Sequence, residues 1–352
     1  MHVLMSADSA GGVWTYALAL GDALVEQGVE VTLATMGPPL RPDQRAELRA
    51  TRIAHAASRA CALEWMDEPW EDVELAGEWL LQLAEQAQPD VVHLNGYAHA
   101  ALPWRAPVVL VGHSDVLSWY EAVHGAPAGA EWAAYRERVA AGLAASDLLI
   151  APTQAMLDEL VRLYAPACER RVVANGSRRR FPSRQKRPFV LAAGRLWDEA
   201  KNVQALVRVA PRLPWPVLVA GEGDVPDGVY ALGHVTREAL DALQAEAAVF
   251  AAPARYEPFG LAALEAGLAG CALVLGDIPS LREVWGEAAV FVPPDDDDAL
   301  EAALRSLVEQ PRRRQYGERA HRRALGYSTE RMARGYLDAY ATVAARREVH
   351  AA

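Results

Sequence analysis

Short apolar runs alternate along the chain with longer stretches that carry apolar residues at helical spacing. Residues 2–6, 29–34, 91–94, 108–111 and 148–151 read as buried strands, and 13–26, 71–85, 132–144 and 154–163 as the helices between them. The pattern breaks at 175–188, a stretch rich in Arg, Ser and Pro, and then restarts. Residues 189–193, 217–220, 248–252, 272–275 and 290–292 form the second set of strands, with helices at 202–209, 238–245, 261–270 and 299–309. Strands that are apolar throughout and separated by helices suit a parallel sheet covered on both faces, because a parallel crossover needs a helix-length connection. The chain is therefore expected to be α/β with two doubly wound parallel-sheet domains, at 1–175 and 188–327, joined by a linker at 176–187. Gln310-Pro311 opens a basic helix, and 329–348 reads as a last helix within a final segment, 328–352.

The 352 residues are 52% hydrophobic and carry a formal net charge of -11, enough apolar material for two cores. An acidic chain of pI ≈ 5.4 argues against a nucleic-acid partner, which calls for a basic face, but leaves room for a local basic patch that holds a phosphate. Cys61, Cys168 and Cys271 are far apart and fit neither a disulfide framework nor a zinc site, so a reducing compartment is expected. The first residues already read as a strand, with no signal-peptide pattern, and no apolar run reaches membrane-spanning length. A cytoplasmic protein with at most peripheral membrane contact follows as the expectation.

In open α/β sheets ligands bind beyond the carboxyl ends of the strands, and the unusual residues of this chain sit there. Asp8-Ser9-Ala10-Gly11-Gly12-Val13 follows the first strand, its two glycines allowing close backbone approach to a ligand. It is not G-x-G-x-x-G, and the second strand ends Ala34-Thr35 without an acid, which argues against NAD or FAD. Gly112-His113-Ser114-Asp115 follows another strand end and makes His113 a site candidate. In His93-Leu94-Asn95-Gly96-Tyr97-Ala98-His99, His93 reads as structural, and Asn95, Tyr97 and His99 as possible acceptor contacts. In the second half, Ala193-Gly194-Arg195 through Lys201-Asn202 places an Arg and a Lys before a helix, where they can neutralise charge on a leaving diphosphate. Gly221-Glu222-Gly223-Asp224 reads as a flexible turn at the same edge. In Arg255-Tyr256-Glu257-Pro258-Phe259-Gly260-Leu261, continuing to Glu265, Pro258 and Gly260 mark a turn into a helix. Glu257 then lies in the loop, Gly260 at a helix mouth whose N–H groups suit an anion, and Glu265 inside the helix. Asp295 to Asp298 reads as helix capping rather than a metal site. The basic run Arg178-Arg179-Arg180 with Arg184, Lys186 and Arg187 reads as a solvated linker.

The Glu-x7-Glu spacing of Glu257 and Glu265 around Pro-Phe-Gly-Leu, with Gly-Arg-Leu and Lys-Asn upstream, resembles the retaining glycosyltransferases of family 4, and the resemblance extends over nearly the whole chain. It implies a GT-B architecture: two Rossmann-like domains facing a central cleft, acceptor on the first and nucleotide-sugar donor on the second, with the last helix crossing back to the first domain. It implies that Arg195 and Lys201 hold the diphosphate, Glu257 the donor sugar, Glu265 the ribose and His113 the sugar from the other wall. Gly11, Gly12, Phe259, Gly260 and Leu261 are then donor-binding, and Gly233-His234-Val235 meets the base through the backbone of His234 and Val235. Neither metal nor cofactor is expected. The donor is a nucleoside-diphosphate sugar, UDP-linked ahead of GDP-mannose, and the acceptor a hydroxyl on a glycan, a lipid-linked sugar or a small molecule. Where many members carry a Gly-Gly pair, this chain has Gly276-Asp277-Ile278-Pro279-Ser280, leaving the contacts of that loop open. A sugar-nucleotide 2-epimerase on the same fold and a non-catalytic nucleotide-sugar-binding protein are the alternatives.

Overall fold

The computed structural model describes residues 1–182, 184–223 and 227–351, with side chains through Arg346. Ser183 of the linker, Asp224 of the Gly-rich turn and the terminal Ala352 lie outside the described residues. The chain divides into two compact units. The first comprises Met1–Glu121, Ala126–Gly176 and Thr329–Ala352, and the second Ala122–Gly125 and Ser177–Ser328.

The first unit holds strands β1 (His2–Asp8), β2 (Glu30–Gly37), β3 (His55–Ala60), β4 (Val91–Leu94), β5 (Val108–Val111), β6 (Leu148–Ala151) and β7 (Glu169–Val172). They form one sheet in the order β3-β2-β1-β4-β5-β6-β7, and every pairing is parallel. Its helices are α1 (Gly12–Glu26), α2 (Pro42–Arg49), α3 (Trp70–Ala87), α4 (Val116–His124), α5 (Ala133–Ala145) and α6 (Gln154–Tyr164). The central strands β4, β5 and β6 are buried at every position, as a sheet covered on both faces requires.

In the second unit β8 (Arg187–Ala193), β9 (Val217–Ala220), β10 (Tyr230–Gly233), β11 (Ala247–Ala252), β12 (Ala272–Gly276) and β13 (Val290–Val292) form a parallel sheet. Its order is β10-β9-β8-β11-β12-β13. Helices α7 (Val203–Val209), α8 (Arg237–Glu246), α9 (Leu261–Leu268), α10 (Pro279–Trp285), α11 (Asp297–Ser306) and α12 (Gln310–Ala324) surround it. The Asp295 to Asp298 run behaves as expected of a cap: Asp296 accepts from the Ala299 N–H at 2.8 Å, and its neighbours pair with Arg255, Arg208 and Arg212.

The last helix, α13 (Thr329–Ala351), belongs to the first unit. It packs against α1 and β5 and buries Met332, Ala333, Tyr336, Ala339, Tyr340 and Val343.

The pattern of apolar runs misses β3, β7 and β10. All three are edge strands with exposed positions. An edge strand is paired on one side only and need not be apolar throughout, so His-Ala-Ala-Ser-Arg-Ala or Glu-Arg-Arg-Val carries no core signal. The basic linker is exposed at Arg178, Arg180, Arg184 and Arg187, as expected of a solvated run, but several of its side chains are paired. Arg179 pairs with Asp241 and with Glu265 Oε1 at 3.2 Å. Arg184 and Arg187 both hold Glu246, and Lys186 Nζ donates to the Gln244 carbonyl at 3.0 Å. Carboxylates of α8 and α9 give this stretch a fixed course along the second unit, which a composition reading could not foresee.

Candidate active site

In the second unit the strand order places β9 on one side of β8 and β11 on the other. The loops after β8 and β11 therefore part at a topological switch point, where such sheets bind ligands. The first loop carries Arg195 and Lys201, the second Glu257. In the first, Asp198 accepts from the Ala200 N–H at 3.0 Å and from Arg195 at 2.8 Å, closing a 3₁₀ turn over Glu199–Lys201. Arg195 also lies over the ring of the exposed Trp197, 5.2 Å from its centroid. The next residue, Asn202, is left-handed with φ 53°. Its buried amide donates to the carbonyls of Pro253 at 2.9 Å and Pro294 at 2.7 Å. Arg255 completes the stitching: its N–H donates to Ala200 O at 2.8 Å, and its guanidinium to Asn202 Oδ1 at 2.9 Å.

The outcome is a direct contact between the two expected site residues. Lys201 Nζ lies 2.8 Å from Glu257 Oε2, with each side chain 23% exposed. A small cavity of 30 Å³, lined in part by Gly194, Lys201, Glu257, Gly260 and Leu281, adjoins them. Glu257 Oε1 accepts the Gly260 N–H at 3.1 Å, so that donor is already used, contrary to the expectation of a free N–H at Gly260. The N–H groups left for an anion are those of the first turn beyond it, beginning at Leu261, which have no intrahelical partner. Gly260 caps α9 at φ 88°, without a side-chain cap and with no acid in the first turn, so the negative charge met by the helix start is the Glu257 carboxylate, which is itself paired with Lys201.

Phe259 is internal, edge-on to Tyr327 at 5.6 Å between centroids. It anchors the loop, and its side chain offers no face for a donor. Glu265 is buried at 4% side-chain exposure with both oxygens engaged, by Arg179 at 3.2 Å and Arg237 at 2.9 Å. Burial raises its pKa, and the two guanidinium groups oppose that rise. Val235 is half-buried in the loop from β10 to α8, and the exposed His234 lies 3.4 Å from Glu222. The loop after β12 now has a defined contact: Ser280 Oγ donates to the Glu257 carbonyl at 2.7 Å. Gly276 lies so close to Ala254 that a β-carbon would strike its carbonyl oxygen. Arg237 supports the site without a signal in the sequence, because a lone Arg carries no pattern until distant elements meet, while Asn202 and Ser280, visible only as members of the Lys-Asn pair and of the loop after β12, take their roles from these contacts.

In the first unit Gly11, at φ 72°, caps α1, and Gly12 opens it. Both are exposed, with no side-chain cap on the helix. The loop after β5 is pinned by the buried Asp115, which accepts from the Ser118 N–H at 2.8 Å and from the Tyr164 hydroxyl at 2.6 Å. His113 on that loop is half-buried, and its Nε2 lies 2.8 Å from Asn95 Oδ1. Desolvation, with His93 nearby, lowers its pKa to about 3, and burial lowers that of His93 to about 4. His93 is in β4 and fully buried, as its place in the strand suggested. The expected acceptor-side residues are otherwise occupied. Asn95 binds Ser6, His93 and His113. Tyr97, 3% exposed, donates to Ser114 O at 2.8 Å, and His99, 8% exposed, bonds Val73 O at 2.9 Å. All three hold the sheet edge together, so their placement does not support contact with an acceptor.

Among the described residues no group of three or more His, Cys, Asp or Glu side chains is placed to hold a metal ion. No described helix is long and apolar enough to cross a membrane.

Two family models tile the chain: Glycosyltransferase Family 4 over residues 10–177 and Glycosyl transferases group 1 over 175–323. A glycogen synthase of Mycobacterium tuberculosis (strain CDC 1551 / Oshkosh) is 34% identical over 275 residues, 68% of this chain and 64% of that protein. The match thus spans less than two thirds of that relative's length. Among solved structures, the sucrose-phosphate synthase of Thermosynechococcus elongatus superposes with a TM-score of 0.78 at 21% identity, covering 98% of this chain and all of that one. Anabaena HepE in complex with UDP-glucose gives 0.76 at 15% identity, with 97% of this chain and all of that one covered. These likenesses show the fold. The family matches establish that the chain belongs to the group 1 glycosyltransferases, with a family 4 N-terminal region, and its fold is GT-B.

Proposed function

We propose that the protein is a retaining, metal-independent glycosyltransferase that moves a sugar from a nucleoside-diphosphate sugar, UDP-linked ahead of GDP-mannose, to a hydroxyl of a glycan or glycoconjugate precursor. The observation that carries this reading is the Lys201–Glu257 contact beside the uncapped start of α9. It sets a cation, a carboxylate and oriented N–H groups within one crevice. On donor binding Lys201 and Arg195 turn to the diphosphate and stabilise the charge that grows as it leaves. The first turn of α9 adds N–H donors. Glu257, released from Lys201, accepts from sugar hydroxyls.

Glu265, held between Arg179 and Arg237, keeps further lone pairs that accept the ribose diol. Transfer runs on one face of the sugar. The bond from the anomeric carbon to the diphosphate breaks, the acceptor oxygen bonds to that carbon from the same side, and its proton passes to the departing phosphate oxygen. The UDP-glucose bound by HepE, which shares the fold, favours a UDP-sugar.

The test is a screen of UDP-, GDP- and ADP-sugars with and without EDTA, reading thermal shift and released nucleotide. Stabilisation by one donor, with slow EDTA-resistant hydrolysis lost in Glu257→Ala and Lys201→Ala, is expected. Isomerisation of the donor without acceptor would point to an epimerase. Binding with no turnover at all would point to a non-catalytic protein.

A further inference from the structure

One backbone carbonyl fixes the direction of a chain of hydrogen bonds in the first unit. Asn95 Nδ2 lies 2.5 Å from Ser6 O. A carbonyl only accepts, so the amide nitrogen must face Ser6 and Oδ1 must face the histidines. Oδ1 also only accepts. His113 Nε2, 2.8 Å away, therefore carries its proton and donates to Asn95. His93 Nε2, 3.2 Å away, does the same, and Tyr16 OH at 3.3 Å accepts a share of that proton. With Nε2 protonated, the neutral His93 has an acceptor Nδ1, which takes the hydroxyl proton of Tyr340 at 2.6 Å. Tyr340 comes from α13, and it and Tyr336 bury their rings against His93. Tyr16 of α1 meets the His113 ring edge-on at 4.3 Å. Among the described residues the hydrogen-bond and ring partners of the two imidazoles are thus tyrosines and the Asn95 amide. Among the described residues no charge is in contact to draw a second proton, and His113 Nδ1 has no hydrogen-bond partner.

We infer that Tyr340, His93 and Asn95 are positioning residues that hold His113 as a neutral imidazole with Nε2–H inward and an open Nδ1 lone pair for a donating substrate hydroxyl. His113 is then an acceptor toward substrate, neither a cation nor a donor, and α13 takes part in setting that state. The inference rests on the transferase reading only for the identity of the hydroxyl, which belongs to a sugar.

The test is long-range ¹⁵N–¹H NMR of the full protein with labelled histidine, alongside kcat/KM for the donor found in the screen. Wild type should show pyrrole-type Nε2 and pyridine-type Nδ1 at both histidines from pH 8 to 5. Asn95→Leu should leave His113 a mixture of tautomers and lower kcat/KM roughly 5- to 10-fold, one hydrogen bond's worth. It should add little to the loss in His113→Ala when the two are combined. Should Asn95→Leu fail to fold, Tyr340→Phe removes only one hydroxyl, and it should shift the His93 Nδ1 resonance toward that of an unbonded imidazole. A wild-type His113 protonated at Nδ1, a His113 tautomer untouched by Asn95→Leu, or a His93 Nδ1 resonance unmoved by Tyr340→Phe would overturn the inference. If the wild type turned over no nucleotide sugar, the transferase reading would fail, and the NMR arm would still decide the network.

Discussion

Lys201 and Glu257 make the sharpest residue-scale distinction between holding the fold and serving a reaction. Their pair is partly exposed, and such pairs contribute about 0–1 kcal/mol, so Lys201→Ala should leave the unfolding midpoint almost unmoved. If Lys201 stabilises the leaving diphosphate, the same variant should lose about 10²-fold in kcat, the scale of a removed transition-state donor. A fall in stability with turnover intact would count against the role. The buried histidines give a pH prediction of defined sign. His93 and His113 have folded pKa values of about 4 and 3, below the unfolded value near 6.5. Below that unfolded value the unfolded chain binds protons that the folded chain refuses, so their contribution to stability is full above it and drains as pH falls toward 4. The advantage of wild type over His93→Gln should therefore shrink by up to about 1.4 kcal/mol per pH unit between pH 6 and 4.5. Urea unfolding at each pH measures it, and an advantage that grows with acid would contradict the neutral assignment.

At the scale of elements, short turns and the linker matter more than the helices they join. Gly260 sits at φ 88°, and a β-carbon there would come 3.2 Å from Leu281 Cδ2. Gly260→Ala should therefore cost roughly 1–2 kcal/mol from the left-handed backbone alone, and shift the start of α9 enough to weaken nucleotide binding. Equilibrium unfolding and titration with UDP read the two effects separately. The linker is tied to α8 and α9 through Arg179, Arg184 and Arg187. Arg179→Ala leaves Glu265 with Arg237 as its remaining ion pair, and the chain around Arg178 and Arg180 should be cut faster by trypsin in native conditions. Unchanged cleavage would mean that these ion pairs do not hold the segment.

For the whole molecule, Arg195, Lys201, Glu257 and Glu265, proposed to serve the donor diphosphate, sugar and ribose, lie in the second unit, while Gly11, Gly12 and His113, also expected to meet the donor, lie in the first. A donor nucleotide at 100 times its dissociation constant should stabilise the protein by about 2.7 kcal/mol. Its protection against hydrogen exchange should centre on the ends of β8 and β11 and the start of α9. Protection centred instead on the β3 edge of the first unit would place the donor elsewhere.

The sequence by itself determined the α/β class, the two parallel sheets and the loops that bear the chemistry. A strand buried on both faces must be apolar throughout, and glycines, a proline and charged residues right after such strands mark the sheet edge. It also made the Glu257 and Lys201 loops conspicuous. Their contact was a matter for the tertiary structure, since a 2.8 Å approach between residues 56 positions apart depends on Asn202, Arg255 and Ser280 tying three loops together. The edge strands escaped the sequence reading because half-paired strands need no apolar run. The linker escaped it because a row of arginines looks the same whether water or Glu265 and Glu246 surrounds it. Asn95 shows the difference most plainly. Its place after β4 put it near the site, but only the Ser6 carbonyl at 2.5 Å decides which way its amide faces, and with that the tautomer of His113.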